Sequence, residues 1–127
     1  MYYCWHCYGE VETAAGSCSR CGGVIAAPAG ADYVDKLVWA LHHPLPERRV
    51  VAADTLGHLR DPRATLTLSA LLDEDPDPYL QAAAISALLA IEGAPRVRPL
   101  LERLVTDGSA PARHVAVQAL QTLEDAS

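Results

Sequence analysis

The sequence predicts a mainly α protein: a superhelical α-α solenoid of about three helical pairs, preceded by a small N-terminal unit built from turns. Three observations predict it. A set of small and apolar residues returns at intervals of 32 positions along the second half of the chain. Aspartate and proline punctuate the stretches between these sets, where helices end and begin. All four cysteines lie within the first 21 residues, as two Cys-x-x-Cys pairs.

Half of the 127 residues are apolar, so a core can form. The net charge of -6 and a pI near 5.2 argue against nucleic acid or an anionic membrane as the main partner, because either needs a clustered basic surface. No run of about 18 apolar residues offers a membrane span. The opening Met1-Tyr2-Tyr3-Cys4 lacks the charged start and apolar stretch of an export signal. A cytoplasmic protein is the expectation, and there the reducing environment makes four paired cysteines metal ligands in preference to two disulfides.

Cys4, Cys7, Cys18 and Cys21 are spaced as two knuckles, each offering two thiolates to one tetrahedral ion. Residues 1–25 are too few to bury a core, and metal binding, on the order of 10 kcal/mol in zinc-finger peptides, supplies the difference. Glycines after the second cysteine of each pair allow the backbone to turn so that amides point at sulfur. The motifs Cys-x-x-Cys-x-Gly and Cys-x-x-Cys-Gly-Gly resemble those of the short zinc-ribbon family, which implies one structural Zn2+ on these four cysteines. Iron in a rubredoxin-like site is the chemical alternative, and His6 a minor alternative ligand. A redox Cys-x-x-Cys would require a strand-to-helix setting that the sequence does not provide.

Val24 and Ile25 are expected to finish a small strand, and residues 26–31, rich in alanine, proline and glycine, form a linker. The helical domain occupies residues 32–127. Asp32 is placed to cap its first helix, with Asp35 in the first turn. Val34, Leu37, Val38 and Leu41 paint one helix face. Trp39 lies off that stripe; its ring either lies across the linker or knuckle, or is an exposed anchor for a partner. His42-His43 reads as a helix end before Pro44 rather than a second metal site.

Val51, Ala52, Thr55, Leu56 and Leu59 return as Ala83, Ala84, Ala87, Leu88 and Ile91, and again as Val115, Ala116, Ala119, Leu120 and Leu123. Each set marks a helix buried on one side, with alanines that let helices approach closely. Between them, Asp61-Pro62-Arg63-Ala64 precedes Leu68, Leu71 and Leu72, and Ala94-Pro95-Arg96-Val97 precedes Leu101, Leu104 and Val105. Proline suits a first helical position, whose amide has no partner. The run Asp73-Glu74-Asp75-Pro76-Asp77-Pro78 reads as a solvated, capping turn.

This pattern resembles the HEAT-repeat family, in its phycobilisome-lyase-like subclass, over roughly residues 33 to 124. The resemblance is carried by Asp61-Pro62-Arg63-Ala64, Ala70-Leu71-Leu72, Asp75-Pro76-Asp77-Pro78 and the helix 82–88. It implies a right-handed stack whose second helices line a concave surface. It also implies that Arg49 and Arg113, at one repeat position with Gln81 between them, bond to an acidic turn of the neighbouring repeat. The first pair is the most divergent: Arg48 stands where the second repeat has Leu80.

Nothing in the sequence assembles a nucleophile with an acid or base, and four thiolates saturate a metal, so no enzyme is expected. The expected function is a scaffold or adaptor for a protein partner, as monomer or homodimer. Its candidate partner-binding residues are Trp39, off the stripe of the first helix, and Asp54, His58, Ile85, Ser86, Val117 and Gln118, which flank the buried stripes of the second helices. The alternatives are an accessory or diverged enzyme of the HEAT-repeat lyase type, and nucleic-acid binding by the ribbon, whose segment carries Arg20 against Glu10 and Glu12.

Overall fold

The computed structural model describes residues 2–126. Two short strands, β1 (Tyr2–Tyr3) and β2 (Glu10–Val11), pair antiparallel with Tyr2 opposite Val11 and Tyr3 opposite Glu10. Six helices follow: α1 (Tyr33–Ala40), α2 (Pro46–Leu59), α3 (Thr65–Glu74), α4 (Pro78–Glu92), α5 (Ala94–Asp107) and α6 (Ala110–Ala126), with a 3-10 turn at Pro62–Ala64 before α3. They form three pairs, and α4 packs on α2, α3, α5 and α6. The core is aliphatic, from Leu41 and Leu56 through Leu68, Leu80, Ile85 and Leu88 to Leu101. No helix among the described residues is long and apolar enough to cross a membrane.

The helix boundaries follow local chemistry. Asp32 accepts the Asp35 amide and Asp35 accepts the Asp32 amide, a reciprocal cap at the start of α1. Asp77 accepts the Tyr79 amide ahead of α4, and Pro46, Pro78 and Pro95 fall in the first positions of their helices. Arg63, in the turn before α3, reaches Asp61 and also Asp32, so the second pair ties down the cap of the first.

One repeat position stitches the turns together. Arg49 bonds Asp75 at 2.9 Å in the turn before α4. Gln81, 32 positions later, donates to the Asp75 carbonyl and accepts the Ser109 amide, joining the turns before α4 and α6. Arg113 departs from the implied pattern: it donates to the Gly108 carbonyl of the turn preceding its own helix.

The buried stripes hold in α4, where Ala83, Ala84, Ala87 and Leu88 are covered, and shift by one residue in α2. There the buried set is Ala52, Ala53, Leu56 and Gly57, while Val51 and Leu59 are exposed. The cause is Gly57: a Cβ there would lie 2.9 Å from the Ala87 Cα, so α2 and α4 touch backbone to backbone at this point. A mid-helix glycine opposed by helix propensity is the sequence signal for such an approach. Val24, expected in a strand, forms only an isolated bridge with Ser17, because the knuckle turns leave no length for a ladder. Leu120 and Leu123 pack against the core from α6.

Gly57→Ala should destabilise the chain by about 2 kcal/mol in urea denaturation, overpacking outweighing the gain in helix propensity. Asp75→Ala strands a three-quarters-buried guanidinium whose Nε already has no partner and removes the acceptor of the Asp77 amide; it should cost on the order of 2 kcal/mol, recovered in part in Arg49→Met/Asp75→Ala. Asp32 is held below the usual carboxylate range, first by the Asp35 amide and then by Arg63; Asp61 is held down by Arg63. Depressed carboxylates stabilise above their ordinary pKa and lose that contribution as pH falls through the shifted value. The protection of the α1 amides, corrected for intrinsic exchange, should therefore fall as pH drops below about 4, and Arg63→Gln should flatten that dependence.

Candidate metal centre

Cys4 and Cys7 sit in the turn between β1 and β2, and Cys18 and Cys21 in a second turn fourteen residues on. The two turns repeat the same bonds. The Cys4 amide donates to the Gly9 carbonyl and the Tyr8 amide to the Cys4 carbonyl; Cys18, Gly23 and Gly22 repeat this pair. The Gly9 amide donates to Cys7 Sγ at 3.3 Å, and the Gly23 amide to Cys21 Sγ at 3.4 Å. Each knuckle also covers the other's glycine: the His6 ring lies on Gly23, and the Arg20 side chain on Gly9.

The four sulfurs fit one ion. Their ligand atoms all lie within 4.8 Å of one another, with Cys4–Cys21 and Cys7–Cys18 at 3.8 Å. A tetrahedral centre with metal–thiolate bonds of about 2.3 Å has edges of about 3.8 Å, the spacing of those two pairs. Among the described residues this is the one His, Cys, Asp or Glu cluster able to hold a metal, and His6 is outside it. The Cys21 and Arg20 amides lower the Cys18 thiol to about 7. Cys21 is pushed up to about 11: its Gly23 amide opposes the rise, but burial and the neighbouring sulfurs outweigh it. Four sulfurs this close cannot all be thiolates without a cation among them, and a divalent ion satisfies them together.

The first knuckle also docks the unit onto the helices. Trp39 of α1 is stacked between Trp5, with ring centroids 4.8 Å apart, and Tyr8, at 4.1 Å. Its indole N–H donates to the Trp5 carbonyl at 2.7 Å, and the Tyr8 hydroxyl donates to the Trp39 carbonyl at 3.0 Å. Burial pushes the Tyr8 phenol well above its ordinary value, so it remains a donor. Tyr3 and Tyr8 meet His43 edge-on. Tyr8 has φ 62, a left-handed conformation that its counterpart Gly22 adopts without strain at φ 76. A tyrosine stands at this strained position because its ring closes the stack on Trp39.

Two candidate partner residues are corrected. Trp39 has both ring faces and its N–H engaged inside the chain, so it is no exposed anchor. Ile85 is fully buried, because α4 is covered by both α2 and α6. Asp54, His58 and Ser86 do share one shallow surface, a hollow of about 300 Å3. Val117 and Gln118 are exposed on α6 but do not line it. His42 and His43 lie past the end of α1, and His43 Nδ1 accepts the Leu45 amide. The docking residues Trp5 and Tyr8 were missed by the sequence reading. Four of the chain's seven Tyr and Trp residues fall in its first eight positions, more aromatic surface than so small a unit can bury within itself.

The family profile described as HEAT repeats matches residues 34–121. No curated protein and no solved structure matches the chain.

Chelating the metal should erase the near-UV circular dichroism of the Trp5–Trp39–Tyr8 stack and red-shift tryptophan emission, while far-UV helicity persists. Tyr8→Gly should weaken the near-UV signal with the metal still bound.

Proposed function

This chain belongs to the HEAT-repeat family, and on that premise we propose that it is a non-catalytic, zinc-stabilised adaptor that binds another protein in the cytoplasm. The observation that carries this reading is the use made of the metal unit. Its first knuckle supplies Trp5 and Tyr8 to grip α1, so the ion's contribution is to the shape of the helical stack. Four protein sulfurs leave a tetrahedral ion no position for water or substrate, which supports a structural role. Zinc fits an all-thiolate tetrahedron without redox chemistry. A helical-repeat stack presents an extended surface suited to recognition, and Asp54, His58 and Ser86 give it small and polar groups on the inner helices.

Elemental analysis of the purified chain should find one zinc per polypeptide and a colourless protein; the visible absorption of a ferric tetrathiolate would replace zinc with iron. Crosslinking and capture with the metal-loaded chain in its native host should return a specific protein that the chelated chain does not. Capture of none across replicates would overturn the adaptor reading.

A further inference from the structure

The first helical pair differs from the second on the face that meets the N-terminal unit. Leu80 is fully buried in α4, whereas Arg48, at the same repeat position in α2, is exposed. No helical pair precedes α1 and α2 among the described residues. The metal-binding unit stands there instead, and between it and the helices runs an open cleft of about 890 Å3. One wall carries Tyr2 and Trp5, the other Leu37 and Val51, and Tyr2 and Val51 are 51% and 62% exposed. Large apolar side chains left open along one cleft mark a recognition surface.

Lys36 and Arg48 line the same cleft, and neither forms an ion pair among the described residues. Five of the ten cations, Arg49, Arg63, Arg96, Arg98 and Arg103, do; Arg20, Arg60 and Arg113 are also without one but lie outside the cleft. The cleft has Glu47 as its one lining carboxylate, so two unpaired cations concentrate beside an apolar floor in a chain of net charge -6. Where the second repeat places a core leucine, the first places a cation at the rim.

We propose that this cleft binds an extended acidic segment of a partner protein, its apolar side chains against Tyr2, Trp5 and Val51 and its carboxylates against Lys36 and Arg48. Charge complementarity selects the acidic occupant. The open shape selects a peptide, because a small molecule needs a pocket that encloses most of its surface, whereas a groove can hold a strand with one side in water. The site is separate from the inner-helix hollow at Asp54, His58 and Ser86. The inference rests on the adaptor reading and names the surface and the chemistry of its partner.

The test titrates the metal-loaded full chain into a fluorescein-labelled ten-residue peptide alternating leucine with aspartate and glutamate, read by anisotropy. Saturable binding is expected, at least tenfold weaker for the same peptide with asparagine and glutamine. Lys36→Glu/Arg48→Glu should lose the acidic peptide and gain a lysine-containing one; Val51→Asp should also lose binding. Asp54→Ala/His58→Ala/Ser86→Ala should bind unchanged. Absence of saturable binding, equal affinity for the neutral peptide, or indifference to the charge reversal would overturn the proposal. In host capture, a photo-crosslinker replacing Val51 should attach the partner. Attachment at His58 or Ser86 alone would sink the cleft and leave the adaptor reading standing, whereas capture of no partner would remove both.

Discussion

Trp39 joins two units held together by different physics. On one side is a segment of about 25 residues whose buried cluster is only Cys4, Cys18 and Ile25, and whose shape depends on four sulfurs converging within 4.8 Å of one another. On the other is an aliphatic stack that folds by burying leucine and alanine. The indole lies between Trp5 and Tyr8 and donates to the first knuckle through its nitrogen, while the Trp39 main-chain carbonyl accepts the Tyr8 hydroxyl. Both partners flank Cys7, so whatever sets the knuckle sets the grip on α1. The left-handed Tyr8 follows from the same constraint: the knuckle demands that backbone conformation, and docking demands an aromatic side chain there.

The stack is held by two devices of different range. Packing joins each helix to its neighbours, most closely where Gly57 lets the α2 backbone meet Ala87 of α4. Polar bonds at the helix starts join the turns, through Arg49 to Asp75 and through Gln81 to Asp75 and Ser109. Arg63 extends the same logic backward, tying the cap of α1 to the turn before α3. The first pair is thereby fixed on both sides, by the second pair through its capping carboxylates and by the metal unit through its aromatic ring.

The ligand set, the cap at Asp32 and the inner helices were legible in the sequence because each is written in short spacings that backbone geometry enforces. Two residues between cysteines make a knuckle, two between reciprocally bonded aspartates make a cap, and two or three between apolar positions make a buried face. The docking of Trp39 was legible only as one of two options, since its ring partners lie 34 and 31 residues away. The stripe in α2 was misplaced by one residue because the register was carried over from its repeats, and the glycine that brings α4 so close occurs in α2 alone.

Ile85 and Val117 show where the division falls. They occupy the same repeat position on the same kind of helix, yet one is fully buried and the other exposed, because α4 has a helix on either side and α6 does not. By itself the sequence determined that four cysteines can meet at one ion and that 32-residue units form helices with an apolar face, since both are matters of chain geometry over a few residues. The tertiary structure decided which of those faces are covered, where the aromatic surplus of the N-terminal unit goes, and that Arg48 and Lys36 border a cleft. Burial depends on neighbours brought from afar along the chain, and local spacing carries no record of them.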